Sequence, residues 1–234
     1  MRQFIQNWVL PIFDLVYPNL CPACAERAPA KNNIICLHCS LKLPKTDYHK
    51  YPENPFTQCF WGRIPLEGAA AYYHFVQGGK VQQLVHQLKY KGRKDIGVQI
   101  GAWFGQQVVS THPYNQVDYV VPVPLHPKKQ RQRGYNQSDS FAEGISSSLG
   151  IPMRKDILIR KKYTSSQTHK ARIERFQNVM EAFQLHPKAH IDGKHILLVD
   201  DVLTTGATLE ACALRLQEAK DVKISMATIA MVKH

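Results

Sequence analysis

The sequence predicts an α/β fold: a parallel sheet flanked by helices, with a small metal-stapled module ahead of it. Three observations carry that reading. Val117–Pro124 and His195–Val199 are short runs rich in Val, Ile and Leu, as in strands buried on both faces. Helical apolar spacing follows each run. Two Cys-x2-Cys pairs stand near the N-terminus, in a segment too short to build a core of its own.

At 234 residues the chain has room for one α/β domain and one accessory module. It is 44% hydrophobic and 21% charged, with no low-complexity tract or clear internal repeat. No apolar run is long enough to span a bilayer, which excludes an integral membrane protein. Gln6, Asn7 and Asp14 interrupt the apolar N-terminus, and no small-residue cleavage site precedes Cys21. A cytoplasmic location is therefore expected. The net charge is +12 and unevenly spread. Residues 126–179 carry twelve Lys or Arg against four Asp or Glu. Such a face favours polyanions: pyrophosphate, nucleic acid or a membrane surface.

Residues 3–16 place Phe4, Ile5, Trp8, Val9, Ile12, Phe13 and Val16 on one helical face, with Pro11 as a kink. Packing on the next module is the favoured reading, and shallow membrane or partner contact the alternative. Next come Cys21-Pro22-Ala23-Cys24 and Cys36-Leu37-His38-Cys39, spaced C-x2-C-x11-C-x2-C. Two such knuckles bring four thiolates around a tetrahedral Zn2+, which replaces the missing core. Without a secretion signal, disulfides are the weaker reading. Cys212 is expected buried and inert, and Cys59 carries no signal.

Three domain pieces follow: residues 1–43 as helix and zinc ribbon, 44–66 as a linker with Pro44, Pro52, Pro55 and Pro65, and 67–234 as the main domain. Ala69–Phe75 reads as a strand. Val81, Leu84, Val85 and Leu88 mark a helix ending in the basic knot Lys89–Lys94, read as a solvated end rather than an anion contact. Ile96, Ile100, Phe104 and Val108 mark the next helix. After the strand Val117–Pro124, residues 125–137 form a loop ahead of a helix around Phe141–Leu149. Arg131, Arg133, Gly134 and Asn136 sit there, where an anion can be gripped at a strand's C-terminal end. The last strand is expected over Lys223–Val232.

The most informative stretch is His195–Thr208. A buried strand ends in Asp200 and Asp201; then come Thr204, Thr205, Gly206, Ala207 and Thr208, and a helix starts near Ala207 with Leu209, Cys212, Ala213 and Leu216 at helical spacing. Backbone N–H groups at a helix N-terminus, hydroxyl donors and a glycine suit a phosphate. Two carboxylates beside it want cations or sugar hydroxyls, so the combination suggests a sugar phosphate. A Walker-type magnesium site lacks its G-x-x-x-x-G-K-[ST], since Val81 follows Gly78-Gly79-Lys80. A response-regulator acidic pocket leaves the Thr/Gly loop unexplained, and the bland reading is a strand end with solvated acids and a capped helix.

The string closely resembles the 5-phosphoribosyl-1-pyrophosphate (PRPP) motif of type I phosphoribosyltransferases. That resemblance implies ribose binding by Asp200 and Asp201, 5-phosphate binding by Thr204–Thr208, Mg2+ with PRPP, and a pyrophosphate loop at Arg131, Arg133, Gly134 and Asn136. Pro122-Val123-Pro124-Leu125-His126, then Arg131-Gln132-Arg133-Gly134-Tyr135-Asn136-Gln137, then Gln167, Arg172, Arg175, Asn178 and Ala182-Phe183 narrow it further. With the Cys pairs ahead, nearly the whole chain resembles the ComF (competence protein F) family. Gln130 departs from it, where the family often has an apolar residue.

The family resemblance implies a type I phosphoribosyltransferase-like parallel sheet with an N-terminal zinc ribbon, and a role in natural transformation. Family members are implicated in handling single-stranded DNA at the cytoplasmic side of the uptake machinery, so a peripheral position at the inner membrane is an expectation. Residues 160–178, with Gln167, Arg172 and Arg175, match the basic loop that covers the active site in true phosphoribosyltransferases. Lys161 and Lys162 are the expected nucleic-acid contacts, and Tyr163 or Tyr135 could stack a base, a core role being favoured for both tyrosines. The alternative function is a phosphoribosyltransferase of nucleotide metabolism carrying a zinc ribbon. The sequence shows no base pocket and no glutaminase nucleophile, so turnover and acceptor stay open.

Overall fold

The computed structural model describes residues 19–160 and 181–232. The expected helix over 3–16, the covering loop with Gln167, Arg172 and Arg175, and Lys161, Lys162 and Tyr163 lie outside the described residues. The chain divides into two compact units, Met1–Leu43 and Pro44–His234. Among its described residues the first holds turns and one short helix, α1 (Leu37–Lys42). Among the described residues its interior is small: Cys21, Pro22, Ala23, Ile35, Cys36, Cys39 and Leu43.

The second unit runs α2 (Pro55–Gln58), β1 (Gly68–Phe75), α3 (Lys80–Tyr90), α4 (Lys94–Val108), β2 (Tyr119–Pro122), α5 (Pro127–Arg133), α6 (Gln137–Leu149), β3 (Leu158–Arg160), β4 (Phe183–Leu185), β5 (His195–Leu203), α7 (Ala207–Leu216) and β6 (Lys223–Val232). Four strands pair in the order β1-β6-β5-β2, all parallel. His195–Val199 and Ile224–Met231 are buried without alternation, as expected for a sheet covered on both faces. Pairing of β5 with β6 continues to Leu203↔Met231, so Asp200 and Asp201 stand inside the strand's last turn of pleat rather than beyond its end.

Period two sorts the sheet's side chains. Ala69, Ala71, Val121, Val123, Ile196, Leu198, Ile224 and Met226 face a core shared with Leu209, Cys212 and Leu216 of α7, and with Phe56, Phe60 and Phe183. An aromatic cluster lies elsewhere in the unit: Phe104 of α4 meets Tyr72, Tyr114 and Phe141, centroids 6.0–6.3 Å apart. There α4 and α6 touch backbone to backbone. A Cβ at Gly97 would lie 2.7 Å from Ser140 Cβ, one at Gly105 2.6 Å from Ser148 Cβ, and one at Gly144 2.6 Å from the Ala102 nitrogen.

Residues 44–66 correct the expectation of a linker. Asn54 caps α2, its Oδ1 accepting from Phe56 N and Thr57 N, and its Nδ2 donates to Tyr48 O, Tyr51 O and Ala69 O. Phe56 and Phe60 are fully buried and Ile64 nearly so. Prolines that read as spacers instead start a helix and fix extended approaches to the core. Residues 127–133 are helical rather than a loop, with Pro127 at the first helical position and His126 Nδ1 accepting from Lys128 N. The expected helix Phe141–Leu149 begins earlier, at Gln137. The antiparallel pair β3–β4 was not anticipated; three residues give no period to read.

Candidate functional site

The site forms at the C-terminal end of β5. Successive side chains on a strand diverge, and the two acids do so. Asp201 Oδ1 pairs with Lys89 Nζ at 2.9 Å, at the end of α3. Asp200 Oδ1 accepts from Ser138 Oγ and from Asp201 N, both at 2.8 Å. Burial, and then the neighbouring Asp201 charge, raise the Asp200 carboxyl from 3.8 to about 6, against the hydrogen bonds and Lys89 that favour its charge.

The loop Thr204–Gly206 turns the chain into α7. Gly206 caps the helix at φ +79°, ψ −11°, a region open to glycine, and is buried. Thr204 and Thr205 are exposed, while Ala207 and Thr208 are half-buried in the helix's first turn. Asp200, Val202 and Leu203–Leu209 line an open pocket. Free N–H groups at the start of α7 and the hydroxyls can receive an anion here. The structure thus brings Asp200 and the Thr204–Thr208 loop around one space, while Asp201 turns to Lys89.

The expected anion loop is divided in its duties. Arg131 is exposed on α5. Arg133 is half-buried, donates through Nη1 to Gln137 Oε1 at 2.8 Å, and lies 5.3 Å over the Tyr90 ring. Gly134 ends α5 at φ +79°. Asn136 is buried, and its Nδ2 donates to Val123 O at 2.9 Å and Asp139 Oδ1 at 2.7 Å, tying the loop to the end of β2. Tyr135 is a core residue whose hydroxyl donates to Leu88 O.

Cations crowd this end of the sheet. Lys129 has its pKa lowered by burial, then by Arg160, Arg133 and Lys89. His126 is lowered by desolvation, then by Arg160, Lys128 and Lys129. Arg160 on β3, over the Phe183 ring at 4.9 Å, is lowered by burial while Cys212 and Asp200 oppose the shift. Cations that depress one another relax when an anion arrives. Sequence reasoning left Lys89 as a solvated helix end, did not single out Ser138, and had Arg160 only as the first residue of the covering loop, where the structure puts it on β3. Their signal is tertiary, apart from the basic knot that held Lys89.

In the first unit the ligand atoms of Cys21, Cys24, Cys36 and Cys39 all lie within 4.8 Å of one another, Cys24 Sγ and Cys36 Sγ at 3.9 Å. None of the four is in a disulfide. A Zn–S bond of ~2.3 Å in a tetrahedron puts sulfurs ~3.8 Å apart, so the donor set fits zinc. Cys36 N donates to Cys21 Sγ at 3.3 Å, and backbone N–H groups of Glu26 and Arg27 help lower Cys24 to about 7. This four-cysteine cluster could hold a metal ion and fits a small zinc ribbon. Cys212 is buried, its thiol raised well above the ordinary value by desolvation. Among the described residues no helix is long and apolar enough to cross a membrane.

Residues 137–234 match the model of the phosphoribosyl transferase domain. "DNA utilization protein YhgH" of Salmonella typhimurium is 28% identical over 197 residues, covering 83% of this chain and 82% of that protein. "Competence protein F" of Haemophilus influenzae is 37% identical over 195 residues, covering 81% and 80%. Among solved structures, adenine phosphoribosyltransferase from Saccharomyces cerevisiae aligns with 60% of this chain and 69% of its own, at 14% identity and a TM-score of 0.39. The second unit has the type I phosphoribosyltransferase fold, a parallel sheet flanked by helices. On the strength of the likeness to Competence protein F along four fifths of both sequences, the chain belongs to the competence protein F family.

Proposed function

We propose that this chain serves DNA uptake in natural transformation, binding a PRPP-type sugar phosphate with Mg2+ at the β5–α7 loop and single-stranded DNA on its basic face. The observation that carries the reading is the pocket itself. Asp200 and the loop Thr204–Thr208 line it, Asp201 beside Asp200 pairs with Lys89, and Lys129, Arg133 and Arg160 gather near it. The ribose hydroxyls or the cation would meet Asp200 and Asp201, the 5-phosphate the start of α7, and the pyrophosphate the side of Arg131 and Arg133. Zinc in the four-cysteine cluster would stabilise the first unit. The names of the relatives, a competence protein and a DNA utilization protein, support the uptake role. That role places the protein in the cytoplasm, peripheral to the inner membrane.

Titration calorimetry with ribose 5-phosphate and Mg2+ tests the site. Wild type should bind, Asp201→Asn more weakly, and Gly206→Val not at all, because a branched residue meets both the positive φ and the Phe60 ring. Equal silence from all three would leave the loop a structural motif. For DNA, log affinity for a labelled single strand should fall with log salt at about −0.7 per neutralised phosphate, and Lys161→Gln/Lys162→Gln should shallow the slope. Binding indifferent to salt would remove the basic face.

Asp200 beside the Thr204–Thr208 loop favours a second reading, phosphoribosyl transfer in nucleotide metabolism. Release of pyrophosphate from PRPP with a free base, absent with DNA, would select it.

A further inference from the structure

We propose that Arg63, ahead of the sheet, is a positioning residue for the phosphate loop, offsetting by ion pairing the charge of a carboxylate that would otherwise oppose the phosphate. The inference rests on the phosphate reading of the Thr204–Thr208 loop. Glu210 stands four residues after Gly206, in the first turn of α7, with its side chain only 5% exposed. A helix N-terminus offers one positive field, and a buried Glu210 anion would compete there with an incoming phosphate dianion. Arg63 Nη1 donates to Glu210 Oε2, across 147 residues of sequence. The pairing cancels the charge where solvent cannot.

Arg63 is itself well placed. Its Nη2 donates to Cys59 O, and its guanidinium lies 5.8 Å over the Phe60 ring. Phe60 is fully buried, with Cζ and Cε1 3.0 and 3.2 Å from where a Cβ on Gly206 would lie. The ring therefore backs the apex of the loop while the arginine beside it neutralises the loop's own acid. Asn54 Nδ2 anchors the same segment to β1 through Ala69 O at 3.0 Å. From β1 to Gly206 the contacts are continuous, so the segment sets both the shape and the charge of the anion cradle.

The full-length protein carries the test: calorimetric titration with ribose 5-phosphate in Mg2+, with melting followed for each variant. Arg63→Gln should weaken binding tenfold or more, because it leaves a buried negative charge uncompensated beside the cradle. Glu210→Gln should bind at least as tightly as wild type. The double variant Arg63→Gln/Glu210→Gln should return to within about twofold of wild type, and Arg63→Lys should keep most of the affinity. A packing role alone would leave the double variant as weak as Arg63→Gln, and that result overturns the inference. So does a wild type that binds while Arg63→Gln binds equally well; the phosphate reading then survives. A wild type silent to ribose 5-phosphate removes the phosphate reading and this inference together.

Discussion

The Lys89 ammonium lies 2.9 Å from the Asp201 carboxylate, bringing the end of α3 onto the last residues of β5. Both side chains are largely withdrawn from solvent, at 24% and 14% exposure, so the pair is more than a surface ion pair. Lys89→Met should destabilise the protein by about 1–3 kcal/mol, because it leaves a partly buried carboxylate beside Asp200. Adding Asp201→Asn should recover most of the loss. Urea melts at pH 7 of wild type, single and double variants measure both steps. A single variant as stable as wild type would show the pair to be solvent-screened.

Asp200 gives a pH signature. Its carboxyl is raised from 3.8 to about 6, so the folded chain holds that proton more tightly than the unfolded one. Its contribution to stability is fully present below pH ~4 and is lost as pH rises through 6. At neutral pH the protein carries a desolvated charge in the ligand-free site. Asp200→Asn, which can still accept from Ser138 Oγ, should raise stability on the order of 2 kcal/mol at pH 7.5 and leave it nearly unchanged at pH 4. Denaturant melts at the two pH values check it; equal stability at pH 7.5 would contradict it.

The first unit should hold one zinc per chain. Cys39→Ser should release it and unfold that unit, because its small interior is held together around the four cysteines. Pro44–His234 has its own core and should keep its melting transition. Metal content by elemental analysis and two-probe melting decide this. A zinc-free preparation made under reducing conditions would count against the metal, and a lost main transition against the independence of the units.

The α4–α6 contact admits no added methyl. A Cβ on Gly101 would collide with Phe141 O, and one on Gly144 with Val98 O. Gly144→Ala should destabilise by about 1–3 kcal/mol, overpacking outweighing the ~1 kcal/mol of helix propensity that alanine gains. An exposed control, Gly193→Asn, keeps a tolerated positive φ of 67° and should be nearly neutral. Thermal melts separate the two, and a Gly144→Ala protein as stable as wild type would mean that the helices can part.

Local pattern determined much of this protein. An unbroken apolar run announced β5, because a strand of a covered parallel sheet needs no polar face, and Ile224 and Met226 alternating with polar neighbours ahead of an apolar run announced β6. Apolar spacing announced α3, α4 and α7, and the Thr204–Thr208 string with its two acids announced the pocket, since a phosphate cradle is built from consecutive backbone N–H groups. The four cysteines announced their own cluster by spacing alone. Tertiary structure decided what those pieces meet. Lys89 reads as a solvated lysine until α3 is laid beside β5. Phe60 and Arg63 sit in a proline-rich stretch that reads as a tether, and only folding carries them 146 and 147 residues along the chain to Gly206 and Glu210. Ser138 is one serine among several until it reaches Asp200. Contacts between residues far apart in sequence leave no period and no spacing to read, because packing selects them by shape and charge after the local elements have formed.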